Sequence, residues 1–136
     1  MVDINGAYTA DVALECARAI EPFGIHWIEE PLPPGDLRGY AELRARSPIP
    51  IAAGEAHHTV RDFRALIDGR CIDIVQPSIP AAGGLTEARR IATLAQAQQP
   101  ARWRRMSGAA RSGWRRPATS SPRCRPRRTP TIRRTR

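Results

Sequence analysis

Asp3, Glu29 and Glu55 each close a short strand-like run and are separated by equal steps of 26 residues. A strand and its return helix together use roughly 25–30 residues, so steps of this size put successive acids on neighbouring parallel strands at the same sheet edge. Carboxylates brought together at one edge repel and drift toward neutrality unless a cation lies between them. An all-oxygen donor set of this kind suits a hard ion such as magnesium, Mg²⁺. Three unrelated surface acids are the plainer reading of the same spacing.

The elements that must position these acids follow from local pattern. Val2-Asp3-Ile4-Asn5 alternates apolar and polar, and His26-Trp27-Ile28-Glu29-Glu30-Pro31 carries aromatic and β-branched residues before a proline stop. Ile49-Pro50-Ile51-Ala52-Ala53-Gly54-Glu55 runs through a flexible glycine to its acid, and Cys71-Ile72-Asp73-Ile74-Val75-Gln76-Pro77 forms a fourth strand. Helix-period stripes lie between them: Val12, Cys16, Ala17 and Ile20, then Tyr40, Leu43 and Ala41. Thr59-Val60-Arg61-Asp62 opens a third helix as a near capping box, and Gly83-Gly84 leads into a fourth through Leu85, Ala88, Ile91, Ala92 and Ala95. Strand and helix alternating four times predict βα units of an α/β barrel or an open parallel sheet.

The runs VDIN, WIEEPLPP, IPIAAGE, DIVQP and GGLTEARRIA, in this order and at these separations, resemble the barrel domain of the mandelate racemase and muconate lactonizing enzyme group of the enolase superfamily. The resemblance covers about residues 1–98 and implies a partial (β/α)8 TIM barrel of about four βα units. It implies that Asp3, Glu29 and Glu55 are the Mg²⁺ ligands. It further implies a small carboxylate, a sugar acid or a relative of one, as substrate. The metal would hold that carboxylate while a base removes the adjacent proton to give an enediolate, because so weak a carbon acid ionises only if the charge building on its oxygens is neutralised. Dehydration, racemisation and cycloisomerisation all start from this step.

The departures from the family pattern bear on activity. The family's base is a lysine on the strand before the first acid, or a histidine on a later strand paired with an aspartate. This chain contains no lysine, and Ser78 stands where the aspartate of that pair is expected. Serine supplies no negative charge to orient a histidine and raise its basicity. The lysine-bearing strand and the small capping domain that closes over substrate are not in the chain, so no catalytic base is retained and the expectation is a fragment inactive by itself. Open edges of a half barrel would favour self-association or aggregation.

Composition changes sharply near residue 99. Residues 101–136 hold 13 arginines and no acid, whereas residues 1–100 hold 9 arginines and all 13 acids, giving +13 and −4 within a net charge of +9. A basic arm of this kind, with Trp103 and Trp114 among its arginines, could bind nucleic acid, although no recognisable nucleic-acid module precedes it. The favoured expectation is a frameshift: Arg-, Pro-, Ser- and Ala-rich sequence without lysine is what a GC-rich gene yields when read out of register. Joining the last base of each codon to the next two near Met106-Ser107 gives a GTC valine codon, and suitable codon choices turn the flanking run into Pro-His-Val-Trp-Gly-Ser-Ala-Ile-Gly-Leu. The resembling family carries a similar stretch on its next strand, its histidine included. Residues 99–136 are therefore expected to be a disordered Arg/Pro-rich tail.

Further residues are assigned around this frame. Asn5, two residues beyond Asp3, shares its strand face and is a candidate substrate contact. His57 and His58 follow Glu55 on a loop where adjacent side chains diverge, so at most one reaches the site; His57 is the candidate, against the blander reading of a solvated loop histidine. Glu30 points to the opposite face from Glu29, with Pro31 ending the strand, and is expected to make structural hydrogen bonds or bonds that support the metal ligands rather than to bind metal. Asp73, at the far end of its strand, is expected to cap or to form a salt bridge. Cys16, Cys71 and Cys124 have no metal-ligand spacing and read as reduced thiols of a cytoplasmic protein. Nowhere do 18 apolar residues run together, and the N-terminus lacks the pattern of an export signal, so no membrane partner is expected.

Overall fold

A computed structural model describes residues 1–98. Four βα units follow one another: β1 (Val2–Asp3), α1 (Ala10–Ile20), β2 (Ile28–Glu29), α2 (Leu37–Arg46), β3 (Ile51–Ala53), α3 (Val60–Asp68), β4 (Ile74–Val75) and α4 (Leu85–Gln98), with a 3-10 turn at Glu21–Phe23. The strands pair in parallel in chain order, β1 and β4 forming the two edges. Asp3 lies opposite Glu29, Ile28 opposite Ile51, and Ala52 opposite Ile74. Parallel neighbours in chain order, joined by helical crossovers, make half of a (β/α)8 barrel.

The ladders are shorter than the sequence runs anticipate, two or three residues each. The backbone supplies the reason. Asn5 and Gly6 (φ 53° and 71°) follow β1, Glu30 (φ 41°) follows β2, and Gly54 (φ 146°) follows β3. Positive φ breaks the extended geometry a ladder needs. Single bonds nevertheless carry the seams onward, from the Ile4 amide to the Glu29 carbonyl (3.0 Å) and from the Gln76 amide to the Ala53 carbonyl (3.1 Å).

One core lies between sheet and helices, built on Ile28, Leu32, Tyr40, Ile51, Phe63, Leu66, Ile72 and Ile91, all essentially inaccessible. Each such side chain contributes about 1.5–3 kcal/mol relative to an exposed position. On α1 the inward line is Ala10, Ala13, Leu14 and Ala17, and Val12, expected on that line, is exposed because it falls one position off the i, i+3, i+4, i+7 register. Leu85 is likewise exposed at the first position of α4, while Ala88, Ile91 and Ala95 face inward as expected. Tyr40 and Leu43 bury α2, and the Tyr40 hydroxyl donates to the Leu32 carbonyl (2.9 Å). Burial pushes that hydroxyl well above the ordinary phenol range.

The capping box at α3 forms as anticipated: the Asp62 amide donates to Thr59 Oγ1 (3.2 Å) and the Thr59 amide to Asp62 Oδ2 (3.0 Å). The Thr59 bond holds the Asp62 carboxyl below its usual range. Asp73 forms the expected salt bridge, with Arg44 Nε at 2.9 Å, and also accepts the Ile51 amide (2.9 Å). Cys71 is buried just before β4, its thiol donating to the Leu37 carbonyl (3.3 Å). Helix α1 packs against α2 and α3 against α4. Among the described residues no helix is long and apolar enough to cross a membrane. The basic tail at 99–136, its frameshift and its expected disorder, lies outside the described residues.

Candidate metal centre

Asp3 and Glu29 are the last residues of β1 and β2 and are cross-strand partners, so their side chains leave the same face of the sheet at the same end. Glu55 is placed differently from the expectation of three strand ends. It lies two residues beyond β3, in an exposed turn entered through Gly54. A side-chain carbon at Gly54 would sit 2.9 Å from the Gln76 carbonyl and 3.0 Å from Phe63, so only glycine lets the chain pass there.

Glu29 is the electrostatic centre of the group. Its Oε2 accepts from the Gln76 side-chain amide (3.3 Å) and, at the limit of a hydrogen bond, from the Trp27 indole (3.5 Å). Burial raises its carboxyl above the usual carboxylate range; the Trp27 bond opposes the rise, the charge of Asp3 adds to it, the Gln76 bond opposes it, and Glu55 adds a smaller push. Asp3 Oδ1 accepts the Asn5 amide (3.2 Å). The three acids therefore share one field. Among the described residues, no arginine or histidine stands within ion-pair distance of any of them.

They do not close on a single point. Among the described residues no three His, Cys, Asp or Glu side chains stand near enough together to hold a metal ion. The physical reason is visible: Glu29 turns one oxygen to Trp27 and Gln76, Glu55 extends from an exposed turn, and like charges separate where they can. The donor chemistry still fits a hard divalent ion. All three residues offer only oxygen, and Glu29 Oε1 and both Glu55 oxygens accept no hydrogen bond from the described residues.

The remaining assignments divide. Asn5 stands next to the acids, but in a left-handed turn, so strand alternation does not set its direction; its amide, not its side chain, engages Asp3. His58 is exposed, whereas His57 is 7% exposed and packs on Phe63 with ring centroids 5.9 Å apart, so the solvated reading fails for His57. Its Nδ1 and Oε1 of Gln76 are buried with no partner among the described residues. Ser78 follows β4 and is half-buried, its carbonyl accepting the Ala82 amide (2.8 Å). Sequence reasoning passed over Gln76 and Trp27. The signal for Gln76 was its place beside the last residue of β4, one strand beyond Glu55 at the same sheet end.

Comparison with known proteins agrees with this architecture. Residues 1–103 match the family described as enolase C-terminal domain-like. The chain belongs to that family. It is 42% identical over 97 residues to 3,6-anhydro-alpha-L-galactonate cycloisomerase of Streptomyces coelicolor, covering 71% of this chain and 27% of the relative. It is 40% identical over 95 residues to L-talarate/galactarate dehydratase of Salmonella typhimurium, covering 70% and 24%. Among solved structures, a racemase from Streptomyces coelicolor A3(2) with bound magnesium superposes with a TM-score of 0.71 at 42% identity, over 72% of this chain and 29% of that one. L-Talarate dehydratase from Polaromonas sp. JS666, complexed with Mg and L-glucarate, gives 0.69 at 38% identity over 72% and 27%. The chain thus spans about a quarter of the length of the curated relatives it matches.

Proposed function

We propose that this chain is the metal-holding part of a Mg²⁺-dependent enzyme of the mandelate racemase and muconate lactonizing group, acting on a sugar acid in the cytoplasm. The observation that carries the reading is the in-register pair Asp3 and Glu29, with Glu55 near enough to raise Glu29 and no cationic side chain among the described residues to balance them. Relatives that act on galactonate and galactarate derivatives, one of them solved with Mg and L-glucarate, support the substrate class.

Asp3, Glu29 and Glu55 would hold the ion, which when bound neutralises negative charge on a substrate carboxylate as the adjacent proton leaves. The Gln76 amide orients Glu29 through Oε2 and leaves its second oxygen without a hydrogen bond among the described residues. Asn5 beside Asp3, and His57 on the loop after β3, are the proposed substrate contacts. No residue of this chain takes the role of the family's lysine base, since lysine is absent, and Ser78 occupies the position expected of the dyad aspartate. The chain supplies electrophilic stabilisation and no base, and we propose that residues 99–136 derive from a change of reading frame, which sequencing the gene on both strands would check.

Isothermal titration of the full chain with MgCl₂ tests the central claim. Saturable binding that is lost in the Asp3→Asn, Glu29→Gln, Glu55→Gln triple variant is expected. Equal heats from both proteins would remove the metal assignment.

A further inference from the structure

Glu30 is bonded to the segments that follow Asp3 and carry Glu55, and is itself the residue after Glu29. Its backbone is in the left-handed region (φ 41°), which non-glycine residues other than Asn, Asp and His seldom adopt. From that conformation it makes three bonds in three directions. Its amide donates to the Ala52 carbonyl of β3 (2.9 Å), its carbonyl accepts the Gly6 amide (2.6 Å), and its carboxylate Oε1 accepts the Ala56 amide (3.1 Å). Gly6 belongs to the turn that follows Asp3, Glu29 is the preceding residue, and Ala56 is the residue after Glu55.

Backbone strain of this kind persists only where the surroundings over-determine it. A regular β conformation at Glu30 would carry its side chain away from the turn after β3. The left-handed kink instead lets adjacent carboxylates serve different ends: Glu29 faces Trp27 and Gln76 at the sheet edge, and Glu30 reaches across the seam to the Glu55 turn. The half-buried Glu30 carboxylate meets no arginine among the described residues, so its bond to the Ala56 amide is its principal anchor.

We infer that Glu30 is a positioning residue: its carboxylate ties the turn carrying Glu55 to the end of β2, and its left-handed backbone is what lets it do so while Glu29 keeps its strand register with Asp3. The inference rests on the metal reading for its purpose but not for its geometry. Its operative part is an acceptor oxygen at the right distance, not a negative charge.

Two readouts on the full chain decide it. The first, independent of any metal, is hydrogen exchange of the Ala56 amide by NMR. Glu30→Gln keeps a carbonyl oxygen of the same reach and is expected to leave Ala56 protected, whereas Glu30→Ala and Glu30→Asn, the latter favouring the left-handed backbone but too short to reach, are expected to speed its exchange at least about tenfold. The second is Mg²⁺ affinity by calorimetry: near parental in Glu30→Gln and about 10–100-fold weaker in Glu30→Ala and Glu30→Asn, the range typical of partners that hold a metal ligand in place. Unchanged Ala56 exchange in Glu30→Ala overturns the inference. So does Glu30→Gln losing Mg²⁺ as fully as Glu30→Ala, since that would make Glu30 a ligand or a charge source. Should the parent chain bind no Mg²⁺, the metal reading falls while the exchange result still decides the role of Glu30. Circular dichroism of each variant separates global unfolding from local release, and Glu30→Gln, the mildest change, keeps the comparison available if Glu30→Ala does not fold.

Discussion

The two ends of the sheet treat carboxylates in opposite ways. At the N-terminal end, Asp73 is met by the Arg44 guanidinium and the Ile51 amide, and Arg44 also donates to the Arg70 carbonyl (3.2 Å). At the C-terminal end, Glu29 feels the charges of Asp3 and Glu55, and no cationic side chain among the described residues answers the three acids. A charge with matched partners stabilises the fold, whereas a charge held among like charges costs stability and is available for another purpose. In barrels of this architecture the N-terminal face serves stability and the C-terminal face chemistry, and here the division can be read from hydrogen bonds alone.

Three substitutions would break or sharpen that contrast. The largest effect is expected from Gly54→Ala, where a new carbon would press on the Gln76 carbonyl and on Phe63 at a positive φ. A loss of about 2–4 kcal/mol in urea unfolding is expected. A neutral result would mean that the acidic end owes its shape to something other than that crossing. Next, Asp73→Ala removes an acceptor from both Arg44 and the Ile51 amide and should cost about 2 kcal/mol in the same measurement. An unchanged midpoint would erase the distinction between the ends.

The smallest effect, and the one of opposite sign, belongs to Glu29→Gln. Because burial and then the neighbouring acids hold the folded Glu29 carboxyl above its ordinary range, the folded state binds its proton more tightly than the unfolded chain does. The associated stability is present below the ordinary carboxylate range and is lost as pH rises through the raised folded value. Parental unfolding midpoints should therefore fall across that window, and Glu29→Gln should flatten the fall and gain a few tenths of a kcal/mol, at most about 1, at neutral pH, solvent screening keeping the gain small. Unfolding midpoints taken from pH 4 to 8 check this, and a loss of stability on substitution would show that Glu29 is a structural partner like Asp73.

Much of this was legible in the chain. Asp3 and Glu29 could be placed side by side because βα units repeat at a nearly constant length, and the Thr59 cap and the Asp73 salt bridge followed from residue type and position. Glu55 was read one step too simply, as a strand end, because the φ of Gly54 has no trace in an alternating pattern. Val12 and Leu85 were assigned inward because periodicity gives the spacing of a stripe but not its phase at a helix start. His57 looked like a loop residue, and only the packing of Phe63 from the following helix makes it buried. Gln76 and the kink at Glu30 depend on contacts between separate βα units, which no local pattern encodes.

The helices pack as two couples, α1 with α2 and α3 with α4, and the boundary between them falls between β2 and β3. Asp3 and Glu29 belong to one couple and Glu55 to the other. The β2–β3 ladder, the Gln76 amide on Glu29 and the Cys71 thiol on the Leu37 carbonyl cross that boundary, and further ties clamp its two ends, Arg44 with Asp73 at one and Glu30 with Ala56 at the other. Whatever grips all three acids at once is thereby also a rivet through the joint, so its occupancy should be readable as mechanical stiffness between the two couples.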